Sequence, residues 1–221
     1  MKLDSRLAGA AGALTLLLAG CGGLLGGGGT ADLYRFGSLP SPAAEAAPPA
    51  GRPAMVVFAG STFEPAIDGD RILTVTGSQA GYVAGARWIA PAPELFDSAT
   101  VRAFEQRAPS ARIVRIRGSP LPDYALGVDV RRFEVDYAGG AAAPPEVVIE
   151  ARARLMRWSD RTLVDEWHVA SREPATENRV AAIVQAFDRG TASVVTQVAD
   201  RAQQSLARHA ALTPGPGGSR Q

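Results

Sequence analysis

One cysteine, one lysine and two histidines stand among 221 residues. A lone cysteine excludes an internal disulfide, so the fold has to stand on its apolar core. One cysteine and two histidines are too few parts for a zinc-type cluster. No Gly-x-Ser-x-Gly elbow is present for a serine nucleophile. Glycines 26–29 are followed by no Gly-Lys-Ser/Thr and preceded by no strand pattern, which excludes a phosphate-binding loop. Charge of one sign is lacking as well. The chain has 23 basic and 22 acidic residues, a net charge of +1, and so no basic excess of the kind nucleic acid requires. No apolar run reaches the ~20 residues that span a bilayer.

What is present begins with the position of that cysteine. Lys2 and Arg6 precede a mostly apolar stretch, residues 7–18, and small residues lead to Cys21. A charged start, a short apolar middle and small residues at the cut form a secretory signal. Leu18-Ala19-Gly20-Cys21 is similar to a lipobox, the site where bacterial lipoproteins are cleaved and acylated. The expected organisation is a signal peptide over residues 1–20 and a lipidated Cys21 with a glycine-rich tether over 21–30. A folded domain follows over 31–212, and then a tail over 213–221. Cys21 is the expected lipid-attachment residue. Gly22, rather than an aspartate, follows it, which favours the outer membrane. Losing residues 1–20 removes Lys2, Arg6 and Asp4, leaving a formal charge of zero and arginine as the only basic residue besides histidine.

Along the domain, hydrophobic periodicity predicts strands at 32–36, 54–59, 71–76 and 112–116. Residues 79–90 fit neither pattern. Pro93, Glu94 and Asp97 open a predicted helix over 93–106, with Phe96, Val101 and Phe104 on its core side. Leu126, Val128 and Val130 alternate with polar residues. Phe133, Val135 and Tyr137 then alternate on the opposite parity. A flip at Arg131-Arg132 is what a β-bulge produces, so one long bent strand is expected over 124–137. Strands at 149–155 and 163–170 follow through short connections, which points to an antiparallel meander. Val180, Ile183, Val184, Phe187, Thr191, Val194, Val195, Val198, Ala202 and Leu206 form one helical stripe. Gly190 interrupts it and suggests a bend or a close contact. The expected fold is a single α+β domain, a mostly antiparallel sheet with two main helices packed on it.

Chemistry is sparse in this pattern. His209 lies near the end of the last helix, where a cation suits the dipole. His168 alternates with Trp167 in a strand. Asp165 shares parity with Trp167 and Val169, so it either faces inward and needs an arginine or sits at a wet strand edge. Tyr82, Trp88 and Trp167 belong to the core or to a binding surface, with core the default. No catalytic residue, cofactor site or metal site emerges.

The order of segments resembles the ABC-type transport auxiliary lipoproteins, also described as the PqiC or YmbA group. The likeness rests on the lipobox, on Leu33-Tyr34-Arg35-Phe36, and on the strand at Met55–Ala59 followed by Arg71-Ile72-Leu73. It continues with Tyr82 and Arg87-Trp88-Ile89-Ala90-Pro91, with Asp123-Tyr124-Ala125-Leu126 and Arg154-Leu155, and ends with the terminal helix carrying Ala186-Phe187. The resemblance implies a non-catalytic, periplasm-facing outer-membrane lipoprotein without a cofactor. It would work with an MCE-domain protein, an inner-membrane permease and a cytoplasmic ATPase to move lipids or other hydrophobic molecules between two membranes. A symmetric ring of its own copies is a further expectation. Two other readings stay open: a structural envelope lipoprotein or outer-membrane assembly factor, and a hydrolase built around Asp165 and His168.

Overall fold

The computed structural model describes residues 31–39, 52–114, 121–140 and 143–212. Cys21, the signal segment, the tether and the tail lie outside the described residues. From Asp32 onward the chain forms one unit. Its elements are β1 (Asp32–Tyr34), β2 (Ala54–Phe63), β3 (Arg71–Thr76), β4 (Gln79–Trp88), α1 (Ala92–Arg107), β5 (Ala111–Val114), β6 (Tyr124–Asp136), β7 (Glu146–Arg157), β8 (Leu163–Pro174) and α2 (Val180–Leu212).

β6 is the spine of the sheet. Along one edge it pairs antiparallel with β7 over its whole length, and β7 pairs antiparallel with β8. The other edge is shared. β2 runs parallel to its first half, with Val56 opposite Tyr124 and Phe63 opposite Val130. β3 runs parallel to its second half, with Leu73 opposite Glu134. β5 adds to β2 in parallel. β4 adds antiparallel to β3, and β1 adds in parallel to β4.

The expected mostly antiparallel sheet is therefore corrected: the sheet is mixed, and pairings β1–β4, β2–β5, β2–β6 and β3–β6 are parallel. Extending the antiparallel pattern to the earlier strands fails for a geometric reason. A parallel pair needs a long crossover only when its strands are level. Here consecutive strands are offset. β2 and β3 follow one another along the same edge of β6, and β5 ends opposite Val57 while β6 begins opposite Val56. A short hop suffices. The antiparallel meander expected for β6, β7 and β8 is present.

The bulge expected from the parity flip is present, between Val130 and Arg132. It keeps Leu126, Val128, Val130, Phe133 and Val135 on one buried side. A second irregularity lies in β2 between Phe58 and Ser61, where Gly60 takes φ 87°, a conformation that L side chains rarely adopt. The ambiguous segment 79–90 is strand β4.

Both helices pack on the buried side. α1 buries Ala92, Phe96, Ala99, Thr100, Ala103 and Phe104; Val101, expected in the core, is only half-buried. α2 has 33 residues, about 50 Å at 1.5 Å per residue. Gly190 marks a close approach, because a Cβ there would sit 3.1 Å from Ile149 Cδ1. At the far ends, Arg107 of α1 makes two 2.8 Å bonds to Asp200 of α2. Between helices and sheet lies an aromatic cluster. Phe36 stacks on Trp88 and Phe133 at centroid distances of 4.8 and 5.0 Å, and Phe187 reaches Trp88 and Phe133 at 5.1 and 4.7 Å. Burying each such ring is worth about 1.5–3 kcal/mol. Trp88 and Trp167 are core, at 2% and 4% exposure. Half-buried Tyr82 donates its hydroxyl to the Ala66 carbonyl and carries the Arg71 guanidinium 3.7 Å above its ring.

Candidate functional site

Strand alternation sends one set of side chains to the helices and the other to the opposite face. On that outer face β6 contributes Asp129, Arg132, Glu134 and Asp136. β7 contributes Glu146, Glu150, Arg152 and Arg154, and β8 contributes Glu166, His168 and Arg172. Most of these groups are ion-paired with one another. Arg132 is the hub, 2.6 Å from Glu134, 3.1 Å from Glu150 and 3.6 Å from Asp136. Glu150 also meets Arg172, which holds Glu146 at 3.2 Å. Arg152 and Arg154 share Glu166. Burial opposes the Arg132 charge, but Glu134 and Glu150 outweigh it and hold its pKa above the ordinary value. Exposed pairs of this kind are each worth about 0–1 kcal/mol. Their effect is to fix long side chains in a lattice. Val148 lies between Glu134 and Arg172 in register and is fully buried on this face, as expected if the aliphatic stems of its long neighbours lie over it.

The residues singled out for chemistry are not brought together. Asp165 does face inward. It accepts from Arg208 at 2.8 Å and from Ser205, both on α2. His168 is exposed on the outer face, beside Arg152 in register. The strand itself separates the two, so the hydrolase pairing has no geometric basis. His209 is bonded on both ring nitrogens: Nε2 lies 2.9 Å from Arg157 and Nδ1 lies 2.9 Å from the Tyr124 hydroxyl. Arginine can only donate, so Nε2 accepts and Nδ1 carries the proton toward Tyr124. The ring locks the end of α2 to β6 and β7 rather than serving as a dipole-bound cation. Burial raises the Tyr124 pKa.

Two features escaped sequence reasoning. Ser61, just past the β2 irregularity, donates its backbone N–H at 2.9 Å and its hydroxyl to Asp97 of α1. Burial raises the Asp97 pKa against those bonds. Asp97 thus joins α1 to β2 instead of simply favouring the helix dipole. The second is a shallow depression of about 380 Å³ lined by Arg35, Ser38, Val184, Gln185, Asp188 and Arg189. Ser38 N–H donates to Asp188 at its rim, at 2.7 Å. Val184, expected in the core stripe, lies here half-exposed, whereas Val195 is fully buried. Only the serine–aspartate spacing of long-range partners could have signalled the first feature, and spacing alone carries no such information.

Among the described residues no group of three or more His, Cys, Asp or Glu gathers as a metal site, and no helix is long and apolar enough to cross a membrane.

No curated protein matches the chain. Among solved structures, protein XCC0632 from Xanthomonas campestris is 29% identical with a TM-score of 0.67, covering 82% of this chain and 100% of its own. A second, described as an uncharacterized protein, is 16% identical with a TM-score of 0.60 over 78% of this chain and 99% of its own, and shows the fold alone. Residues 38–199 match the family described as the ABC-type transport auxiliary lipoprotein component. That span takes in every element from β2 to most of α2, so the chain belongs to the ABC-type transport auxiliary lipoprotein family.

Proposed function

We propose that this chain is a non-catalytic subunit of an ABC/MCE-type transport system, anchored by acyl chains on Cys21 to the outer membrane and facing the periplasm. There it docks the MCE-domain component, which works with a permease and an ATPase of the inner membrane to move lipid or another hydrophobic compound. The observation that carries the reading is the family match over residues 38–199 behind a lipobox at Leu18–Cys21. The site chemistry is compatible with it. Charges on the outer face are already paired within the chain, and the inward polar groups Asp97, Asp165 and His209 each hold a helix to the sheet.

The test is crosslinking in the native envelope followed by identification of what co-purifies. An MCE protein with its permease and ATPase is the expected result. A barrel protein or cell-wall material without them overturns the transport role and leaves a structural envelope lipoprotein. The anchor has its own test. Cys21→Ala is expected to abolish acylation and shift the protein from the membrane fraction to a soluble or uncleaved form. Unchanged acylation and fractionation would sink the lipobox assignment.

A further inference from the structure

Five large hydrophobic side chains stay largely exposed among the described residues: Leu33 at 62%, Ile89 at 60%, Leu121 at 81%, Leu163 at 53% and Leu212 at 80%. They fall into two groups. Leu121 precedes β6, Leu163 opens β8 and Leu212 ends α2, around the end where Tyr124, Arg157 and His209 meet. Leu33 and Ile89 lie at a different margin, on the edge strand β1 and just past β4.

That margin is well held. Leu33 stands opposite Arg87 and Tyr34 opposite Trp88. The Ile89 N–H donates to the Tyr34 carbonyl at 2.8 Å. The exposed pair therefore brackets the Tyr34–Trp88 row, with Trp88 and Phe36 sunk in the aromatic cluster. Their exposure does not come from a frayed end; the inward neighbours fix it. Arg35 follows two residues after Leu33, lines the shallow depression, and has no ion pair or hydrogen bond to another described residue. Arg87, by contrast, is paired with Asp70 at 2.8 Å.

Position in the chain puts this margin within reach of the anchor. Leu33 follows Cys21 by 12 residues, so it cannot lie farther from that residue than about 40–43 Å at ~3.3–3.6 Å per residue. A weak surface tied this closely to an anchor meets the bilayer as an intramolecular partner. We propose that Leu33 and Ile89 rest in the interfacial layer of the phospholipid bilayer that holds the Cys21 acyl chains, with the Arg35 guanidinium against lipid phosphates. This rests on the anchoring part of the function proposed above. The chemistry fits: aliphatic side chains beside a cation enter the boundary between headgroups and acyl chains, and the guanidinium fork matches phosphate oxygens. Asp32 and Asp70 offset the nearby arginines, so the contact is driven mainly by apolar burial. It also orients the domain. With the β1 margin on the lipid, the group at Leu121, Leu163 and Leu212 stays clear of it.

Acylated full-length protein carrying Leu33→Cys, Ile89→Cys or Leu163→Cys tests this. Acylation occupies Cys21, so each added thiol takes a nitrobenzoxadiazole label alone. The labelled proteins are placed in phosphatidylethanolamine–phosphatidylglycerol vesicles, with and without lipid spin-labelled high on its acyl chain. Co-flotation reports the anchor, and quenching reports the contact. The expected result is co-flotation of all three, with quenching at positions 33 and 89 severalfold above that at 163. Co-flotation with equal or absent quenching overturns the contact and leaves the anchor standing. Failure to co-float overturns the anchor and the contact together.

Discussion

From Tyr124 onward, three strands of 13, 12 and 12 residues run back and forth and close with a 33-residue helix. Before it, strands of 3, 10, 6, 10 and 4 residues attach in short offset stretches. The later half is held by long ladders, each with one register shift, and one buried helical stripe. The earlier half is held by insertions: Phe36 into the aromatic cluster, Asp97 onto Ser61, Arg102 onto the Gly37 carbonyl at 2.7 Å. Continuous ladders distribute their stability over many equivalent bonds. Point attachments concentrate it in a few side chains.

The largest effect expected lies in the later half. Val195→Asp puts an unpaired charge at a fully buried position and should cost more than about 4 kcal/mol, enough to unfold the domain. Val184→Asp lies on the same helix at the rim of the depression, half-buried against the core, and should cost clearly less than the Val195 change. Urea titration of the pair reads the contrast. If both unfold, the buried stripe of α2 is wider than its geometry indicates.

In the earlier half, Phe36→Ala should cost about 3–5 kcal/mol, as large-to-small aromatic changes do. Its signature is local. Amide exchange should quicken in β1 and β4 while β6, β7 and β8 keep their protection. Uniform loss of protection would mean that the halves open as one cooperative unit.

The smallest effect concerns Asp97. Burial raises its folded-state pKa, so the fold favours the neutral carboxyl. That contribution is full below the ordinary carboxylate value and is lost as pH rises through the folded value. Near neutral pH the ionised group carries the cost. Asp97→Asn keeps an acceptor for the Ser61 N–H and should raise the thermal midpoint slightly near neutrality, with the gap closing as pH falls through the carboxylate range. A lower midpoint at neutrality would show that the bonds to the ionised form outweigh its burial.

The same contrast explains what the sequence made legible. Alternation at Leu126–Val130 and Phe133–Tyr137, with its flip, identified the long strand and its bulge, because a two-sided ladder imposes a two-residue period. The stripe from Ile183 to Leu206 identified α2, although it placed Val184 with the core. The parallel pairings of β2, β3 and β5 left no such trace. A parallel and an antiparallel partner bury the same side chains, and only the offset decides which is formed. The attachments of Asp97 to Ser61 and of Arg107 to Asp200 join residues 36 and 93 positions apart, and no local period encodes them. Asp165 was left open between an inward acid needing an arginine and a wet strand edge, and Arg208 was not legible as its partner.

One consequence of the irregularity at Arg131 and Arg132 concerns chain length rather than chemistry. β6 is written in two reading frames. Ahead of the shift even-numbered residues face the helices, and behind it odd-numbered ones do. Loss of a single residue there would merge the frames and turn Phe133 and Val135 outward while Glu134 and Asp136 turned in. Both partners on the shared edge are set by those frames, β2 by the first and β3 by the second. Residues 64–70 carry the chain from one frame to the next outside the strands, pinned by buried Ile67 and by the Trp88 and Ala92 N–H groups on the Asp70 and Gly69 carbonyls. Length is therefore fixed at the centre of the sheet, so related chains should differ in loop length long before they differ by a residue in the spine.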